Sequence, residues 1–234
     1  MEIGFGRKGD PLGEPGRIAF DAVSEHKIVA IIRGLSVSQA VAAALALAAG
    51  GIRALEVTFG GVTVPQIEST ASAIAEIGSI LPPAVAVGAG TVLTTGQLAA
   101  AREAGARFIV SPDTNPEVIQ ATRRAGLASF PGAASATECV DAWRAGATMV
   151  KLFPAGSLGL DYFRALRGPL PWLPLMAVGG IDLTNAADFL SAGASGLGVG
   201  GRLVDKAWIA AGDLDRVTDI ASQFTRIAKE GSTP

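Results

Sequence analysis

The chain has 234 residues, room for one large domain, with 49% hydrophobic residues, a formal net charge of -2 and no long basic run. That balance argues against nucleic acid or an anionic membrane surface as the main partner. Cys139 and His26 are the only cysteine and histidine, which excludes an intrachain disulfide and leaves too few donors for a zinc site of the usual kind.

Residues 1–16, MEIGFGRKGDPLGEPG, are rich in Gly, Pro and charge and lack the apolar stretch of a signal peptide, so they read as a flexible N-terminal arm. With a lone cysteine, a cytoplasmic setting is expected. Residues 17–234 read as one domain, and Ile18–His26 as a short helix that plugs its bottom. From there β-rich apolar runs alternate with helical patterns. The strands are expected at Ile28–Ile32, Ala54–Thr58, Ala84–Gly88, Arg107–Val110, Ala128–Phe130, Thr148–Leu152, Pro174–Val178 and Gly196–Val199. The helices are expected at Ser36–Ala49, Val64–Ile80, Thr95–Ala104, Pro116–Ala125, Ala136–Ala145, Asp161–Leu166 and Asn185–Ala192, with a last pair within Lys206–Lys229. The apolar run Ala40–Ala49 is too short to span a bilayer, which takes ~20 residues, and reads as a buried or interface helix. Gly50, Gly105, Gly126, Gly146 and Gly193 stand where helices should stop, and Ser36, Thr95, Asn115, Ser135 and Thr184 where they should start. Strands alternating with helices imply a parallel sheet. Eight such units in a chain near the ~250 residues of a (β/α)8 barrel imply closure into a single TIM barrel, with an open doubly wound sheet as the competing topology.

Buried parallel strands should be almost wholly apolar, so their polar exceptions are informative. Lys151 lies within Met149-Val150-Lys151-Leu152-Phe153, on the face of Met149 and Phe153. Desolvation favours its neutral amine, which can attack a ketone; the plainer reading is a lysine that snorkels or pairs with a carboxylate. Glu56, within Ala54-Leu55-Glu56-Val57-Thr58, is a candidate proton shuttle or the partner of Lys151 in a structural ion pair. Arg33 ends the first strand, at the barrel face where active sites lie, and suits a carboxylate or phosphate. Gly88-Ala89-Gly90-Thr91 leaves a ligand room to approach and adds a hydroxyl. Gly179-Gly180 and Gly200-Gly201, with Arg202 beside the second pair, come after strands seven and eight, where barrel loops often bind phosphate; tight turns are the plain alternative. No carboxylate cluster suggests a metal site.

Together IVAIIRG (Ile28–Gly34), LEVT (Leu55–Thr58), GAGTVL (Gly88–Leu93), FIVSP (Phe108–Pro112), FPGAASATE (Phe130–Glu138), VKLFPA (Val150–Ala155) and GGI (Gly179–Ile181) resemble the aldolases of 2-keto-3-deoxy-6-phosphogluconate and 2-keto-4-hydroxyglutarate, including the 6-phosphogalactonate branch. The resemblance implies a class I aldolase with Lys151 as the imine-forming nucleophile and Glu56 as acid/base. It implies Thr91, Pro112 and Phe153 around the pyruvyl group, no cofactor beyond the lysine imine, and a homotrimer. The substrates implied are a small keto acid and an aldehyde. Three departures touch the phosphate end. Phe59-Gly60-Gly61 stands where many members carry an arginine, Arg202 replaces a serine, and Val178 replaces a threonine. Val-Gly-Gly and Ile-Ile-Arg-Gly look more like the 6-phosphogalactonate branch. The residues alone also admit a phosphosugar isomerase or epimerase on the same barrel, or a non-enzymatic phosphosugar-binding protein.

Overall fold

The computed structural model describes residues 11–230, so most of the expected N-terminal arm lies outside the described residues. In chain order the elements are α1 (Glu14–His26), β1 (Ile28–Ile32), α2 (Val37–Ala49), β2 (Ala54–Thr58), α3 (Val64–Ile80), β3 (Ala86–Gly90), α4 (Thr95–Glu103), β4 (Phe108–Val110), α5 (Pro116–Arg124) and β5 (Ala128–Phe130). They continue with β6 (Gly132–Ala133), α6 (Ala136–Ala145), β7 (Val150–Leu152), α7 (Ala155–Leu158), α8 (Leu160–Arg167), β8 (Leu175–Val178), α9 (Ala186–Ser191), β9 (Gly196–Val199), α10 (Lys206–Ala210) and α11 (Leu214–Glu230).

The strands form one parallel sheet in the order β5-β4-β3-β2-β1-β9-β8-β7-β6. Its two ends, β5 and β6, are separated in the chain by Pro131 alone. Proline has no N–H to give a ladder, and here the strand changes partner: Phe108–Val110 pairs with Ala128–Phe130, and Gly132–Ala133 pairs with β7. The sheet is thus an eight-membered ring whose fifth strand is broken in two. The closed barrel is as expected, and the open sheet is ruled out.

Side chains alternate between two cores, as the pleat requires. Val29, Ala54, Ala86, Phe108, Ala128, Met149 and Met176 point into the barrel. Their strand neighbours, among them Ile28, Leu55, Val87, Ile109, Val150 and Leu175, pack outward under the helices. At the bottom, Ala19, Ala22 and Val23 of α1 join the inner cluster and close it, with Leu12 packed alongside. The plug helix is expected to start at Ile18 but starts at Glu14, with Pro15 in its first turn, where a missing N–H is no loss. Residues 14–16 therefore belong to a helix and not to an arm. One face of the Ala-rich α2 is buried within the chain: Thr218 and Thr225 of α11 donate to the carbonyls of Ala46 and Gly50, and a side chain at Gly50 would run into Ala221, while Leu45 on its other face is 49% exposed.

Capping is mostly as expected, with Ser36, Asn115 and Ser135 each accepting from a first-turn backbone N–H. Two boundaries differ by one residue: Thr94, not Thr95, caps α4, and Asn185, not Thr184, precedes α9. No helix among the described residues is long and apolar enough to cross a membrane.

Candidate active site

Going round the ring, β2 and β7 stand four places apart, so Glu56 and Lys151 face each other across the barrel. Glu56 lies one inward position above Ala54 on its strand, and Lys151 one above Met149, both residues of the inner cluster. Glu56 pairs in register with Ile31 and Gly88, and Lys151 with Gly132 and Met176. Both are buried, Glu56 at 2% exposure and Lys151 at 5%. Met149 lies beneath Lys151 on the same face. Above it the ring centroid of Phe153 is 4.8 Å from the ammonium, so that face is as the alternation predicted.

Burial disfavours the charged form of each group and dominates both. It raises the Glu56 carboxyl, against the smaller opposing pull of Lys151 and then Arg33. It lowers the Lys151 ammonium, opposed by Glu56 and assisted by Arg33. The two form no ion pair with each other; pairs such as Arg144–Asp141 and Arg164–Asp161 are on outer helices. The structural salt bridge that the sequence admits is absent. A charge-coupled pair kept apart across a cavity leaves a place for a third group between an amine and a carboxyl.

That place opens into a cavity of about 730 Å³ at the C-terminal ends of the strands, where barrel sites are built. Of the residues picked out from the sequence, Arg33, Lys151, Phe153, Gly179, Gly180, Gly200, Gly201 and Arg202 line it. Glu56 lies across from this wall, its carboxylate filling the space that a side chain at Gly90 would need. Thr91 is joined to the wall by Arg33, whose Nη2 donates to its hydroxyl at 3.4 Å. Its φ of +57 is unusual for a β-branched residue. Pro112 does not line the cavity. Its carbonyl abuts Gly132, the register partner of Lys151, so it stands one step behind the amine.

The two glycine pairs differ in purpose. Gly179 and Gly180 have φ of +87 and +77, and a Cβ on Gly180 would come within 3.0 Å of the Gly156 backbone. This pair makes a turn that other residues adopt only with strain. Gly200 and Gly201 face open space. There the absence of a side chain keeps the cavity wide. Reading the sequence missed Ile31 and Val204 in its apolar wall, and Asp205 and Lys206 at its rim; Val178 and Ile181, noted only through the resemblance, complete that wall. The apolar four look like any barrel residue, and Lys206 like any helix-surface lysine. No group of three or more His, Cys, Asp or Glu suited to a metal occurs among the described residues.

In sequence and fold the chain is similar to known proteins. The family described as KDPG and KHG aldolase matches residues 20–220. The chain is 38% identical over 210 residues to a 2-dehydro-3-deoxy-phosphogluconate aldolase of Treponema pallidum, covering 89% of this chain and 96% of that one. It is 33% identical over 204 residues to the 2-dehydro-3-deoxy-6-phosphogalactonate aldolase of Escherichia coli, covering 87% and 95%. Its fold matches, with a TM-score of 0.77 and 29% identity over 90% of this chain and 97% of the other, a KDPG aldolase of Legionella pneumophila solved with pyruvate captured at low pH as a covalent carbinolamine.

Proposed function

This chain belongs to the KDPG and KHG aldolase family, and on that premise we propose that Lys151 and Glu56 cleave a phosphorylated 2-keto-3-deoxy sugar acid. The chain is a class I aldolase, a carbon–carbon lyase releasing pyruvate and an aldehyde through a covalent lysine imine. The isomerase and binding-protein readings fall with that membership. The observation that carries the residue assignment is Lys151: an amine held in the barrel, its charged form disfavoured by burial, on the wall of the cavity.

Neutral Lys151 attacks the C2 ketone of the substrate. Glu56, whose protonated form burial favours, supplies the proton that lets the carbinolamine lose water. The iminium then draws electrons from C3. Glu56, now a carboxylate, takes the proton of the C4 hydroxyl, and the C3–C4 bond breaks to free the aldehyde. The enamine gains a proton at C3, and hydrolysis releases pyruvate and restores Lys151. Arg33 and Thr91, already hydrogen-bonded, suit the substrate carboxylate. Phe153 covers the pyruvyl end beside the amine, and Pro112 supports it through Gly132. Gly179, Gly180, Gly200, Gly201 and Arg202 suit the phosphate at the other end.

The substrate is of the phosphogluconate or phosphogalactonate type, yielding glyceraldehyde 3-phosphate, with 2-keto-4-hydroxyglutarate as a second substrate yielding glyoxylate. Relatives named for both sugar acids support this. The protein works as a cytoplasmic homotrimer.

Borohydride reduction in the presence of pyruvate, followed by peptide mapping, is expected to fix a pyruvyl adduct on Lys151 that Lys151→Met lacks. Glu56→Gln should still form the adduct but lose about 10²–10⁴-fold in turnover. No adduct on folded protein would defeat the Lys151 assignment, and full turnover in Glu56→Gln would defeat that of Glu56.

A further inference from the structure

Besides Lys151, the cations on the cavity wall are Arg33, Arg202 and Lys206, and they are not equivalent. Arg33 bonds Thr91 and is felt by both Lys151 and Glu56, so it belongs to the inner, reacting end. Arg202 stands toward the β8–α9 loop, where its charge is felt by Asp182. Lys206 comes from the start of α10 and rests at the end of β1. A Cβ on Gly34 would come within 2.6 Å of its Nζ, so the bare glycine keeps a berth open for the ammonium.

Lys206 makes no hydrogen bond or ion pair with another described residue. The acid beside it, Asp205, is committed elsewhere, accepting from the backbone N–H groups of Ala207 and Trp208. The outer cavity therefore carries two cations, Arg202 in the β9–α10 connection and Lys206 at the start of α10, while the nearby carboxylates Asp182 and Asp205 are turned to their own loops, Asp182 accepting from Thr184 and Asp205 from backbone N–H groups. A neutral occupant would make no use of the two cations, whereas a dianion would answer both at once. Lysine suits such a group because it acts as a point charge, indifferent to the rotation of a phosphate.

Resting on the aldolase reading, we propose that Lys206 is a specificity-determining residue: it recognises the charge at the far end of the aldehyde half and selects phosphorylated substrates over neutral ones. Its ammonium binds the phosphate from the β1 side, opposite Arg202. The carbon chain then spans from Lys151 to this outer pair.

The test runs in the condensation direction, joining pyruvate to either glyceraldehyde 3-phosphate or D-glyceraldehyde, with wild type, Lys206→Met and Lys206→Arg. A hydrogen bond between charged groups is worth enough for the ratio of the two kcat/KM values to fall about tenfold or more in Lys206→Met. The loss should lie in KM for the phosphorylated aldehyde, and Lys206→Arg should recover most of it. Borohydride trapping of pyruvate on Lys151 in the same preparations shows that the variants are folded and competent. An unchanged ratio, or equal losses for both aldehydes, in a variant that still traps pyruvate would overturn the proposal. Failure of the wild type to trap pyruvate would instead overturn the assignment of Lys151.

Discussion

An amine is a nucleophile only when neutral, so the environment of Lys151 decides the pH at which the reaction begins. Burial holds its ammonium below the ordinary lysine range, and Arg33 adds to this because a second positive charge nearby disfavours the first. Removing Arg33 should therefore raise the Lys151 pKa. The rate of adduct formation rises with pH as the amine loses its proton, so Arg33→Met should move that rise to higher pH and slow trapping near neutrality. The measurement is the rate of borohydride-trappable adduct across pH at saturating pyruvate, which separates this effect from weaker carboxylate binding. An inflection that stays in place would show that Arg33 acts only by binding. Lys151 and Glu56 are legible in the sequence because a charge inside an apolar strand contradicts its surroundings. Lys206 is not, because nothing local distinguishes it; only the return of α10 over the end of β1 puts it at the cavity.

At the scale of the element, β3 shows both what a pattern reveals and what it hides. The apolar run suggests Ala84–Gly88, but the strand is Ala86–Gly90. Glycine is a poor strand former, which obscures the end of the run. Here it is required for space: a Cβ on Gly88 would press on the Phe108 ring, and one on Gly90 on the Glu56 carboxylate. Two alanine substitutions on one face of one strand should therefore fail differently. Gly88→Ala overpacks the inner core, at a cost of about 1–3 kcal/mol. For a chain of this size that lowers Tm by about 2–4 °C per kcal/mol, with pyruvate trapping retained. Gly90→Ala displaces the acid/base group, and a shift of that kind can remove about 10²-fold in turnover. Melting curves and initial rates on both variants check this, and full turnover in Gly90→Ala would contradict the placement of Glu56. The split fifth strand is hidden for a related reason. Pro131 reads as the end of a strand, and only the closed ring shows that the chain resumes pairing at Gly132 with a new partner.

For the whole molecule, the barrel's two ends differ. The floor is sealed by α1, legible as the helical stretch before the first strand, and eight strand–helix units at this chain length favour closure over the open sheet that the same repeat admits. The other end carries the cavity and, beside it, exposed apolar side chains. Val62 and Val64 are 64% and 66% exposed, and Leu93 is exposed as well. They belong together because Gln97 ties their loops, accepting from the Leu93 N–H and donating to the Gly61 carbonyl. Grouped exposed apolar residues mark a surface that associates, and the proposed homotrimer supplies a cover. Resemblance alone suggests the trimer, since no periodicity reports on it and the apolar run of α2 is explained on its inner face by packing within its own chain. If Val62 and Val64 lie between subunits, the double variant Val62→Glu, Val64→Glu places like charges there and should convert the assembly to single chains. Carboxylates at the start of α3 favour that helix, so the protomer itself should stay folded. Light scattering coupled to size exclusion decides the matter: a wild type of three chain masses and a variant of one support this interface. A trimeric variant would move the contact elsewhere, and a monomeric wild type would remove the trimer altogether.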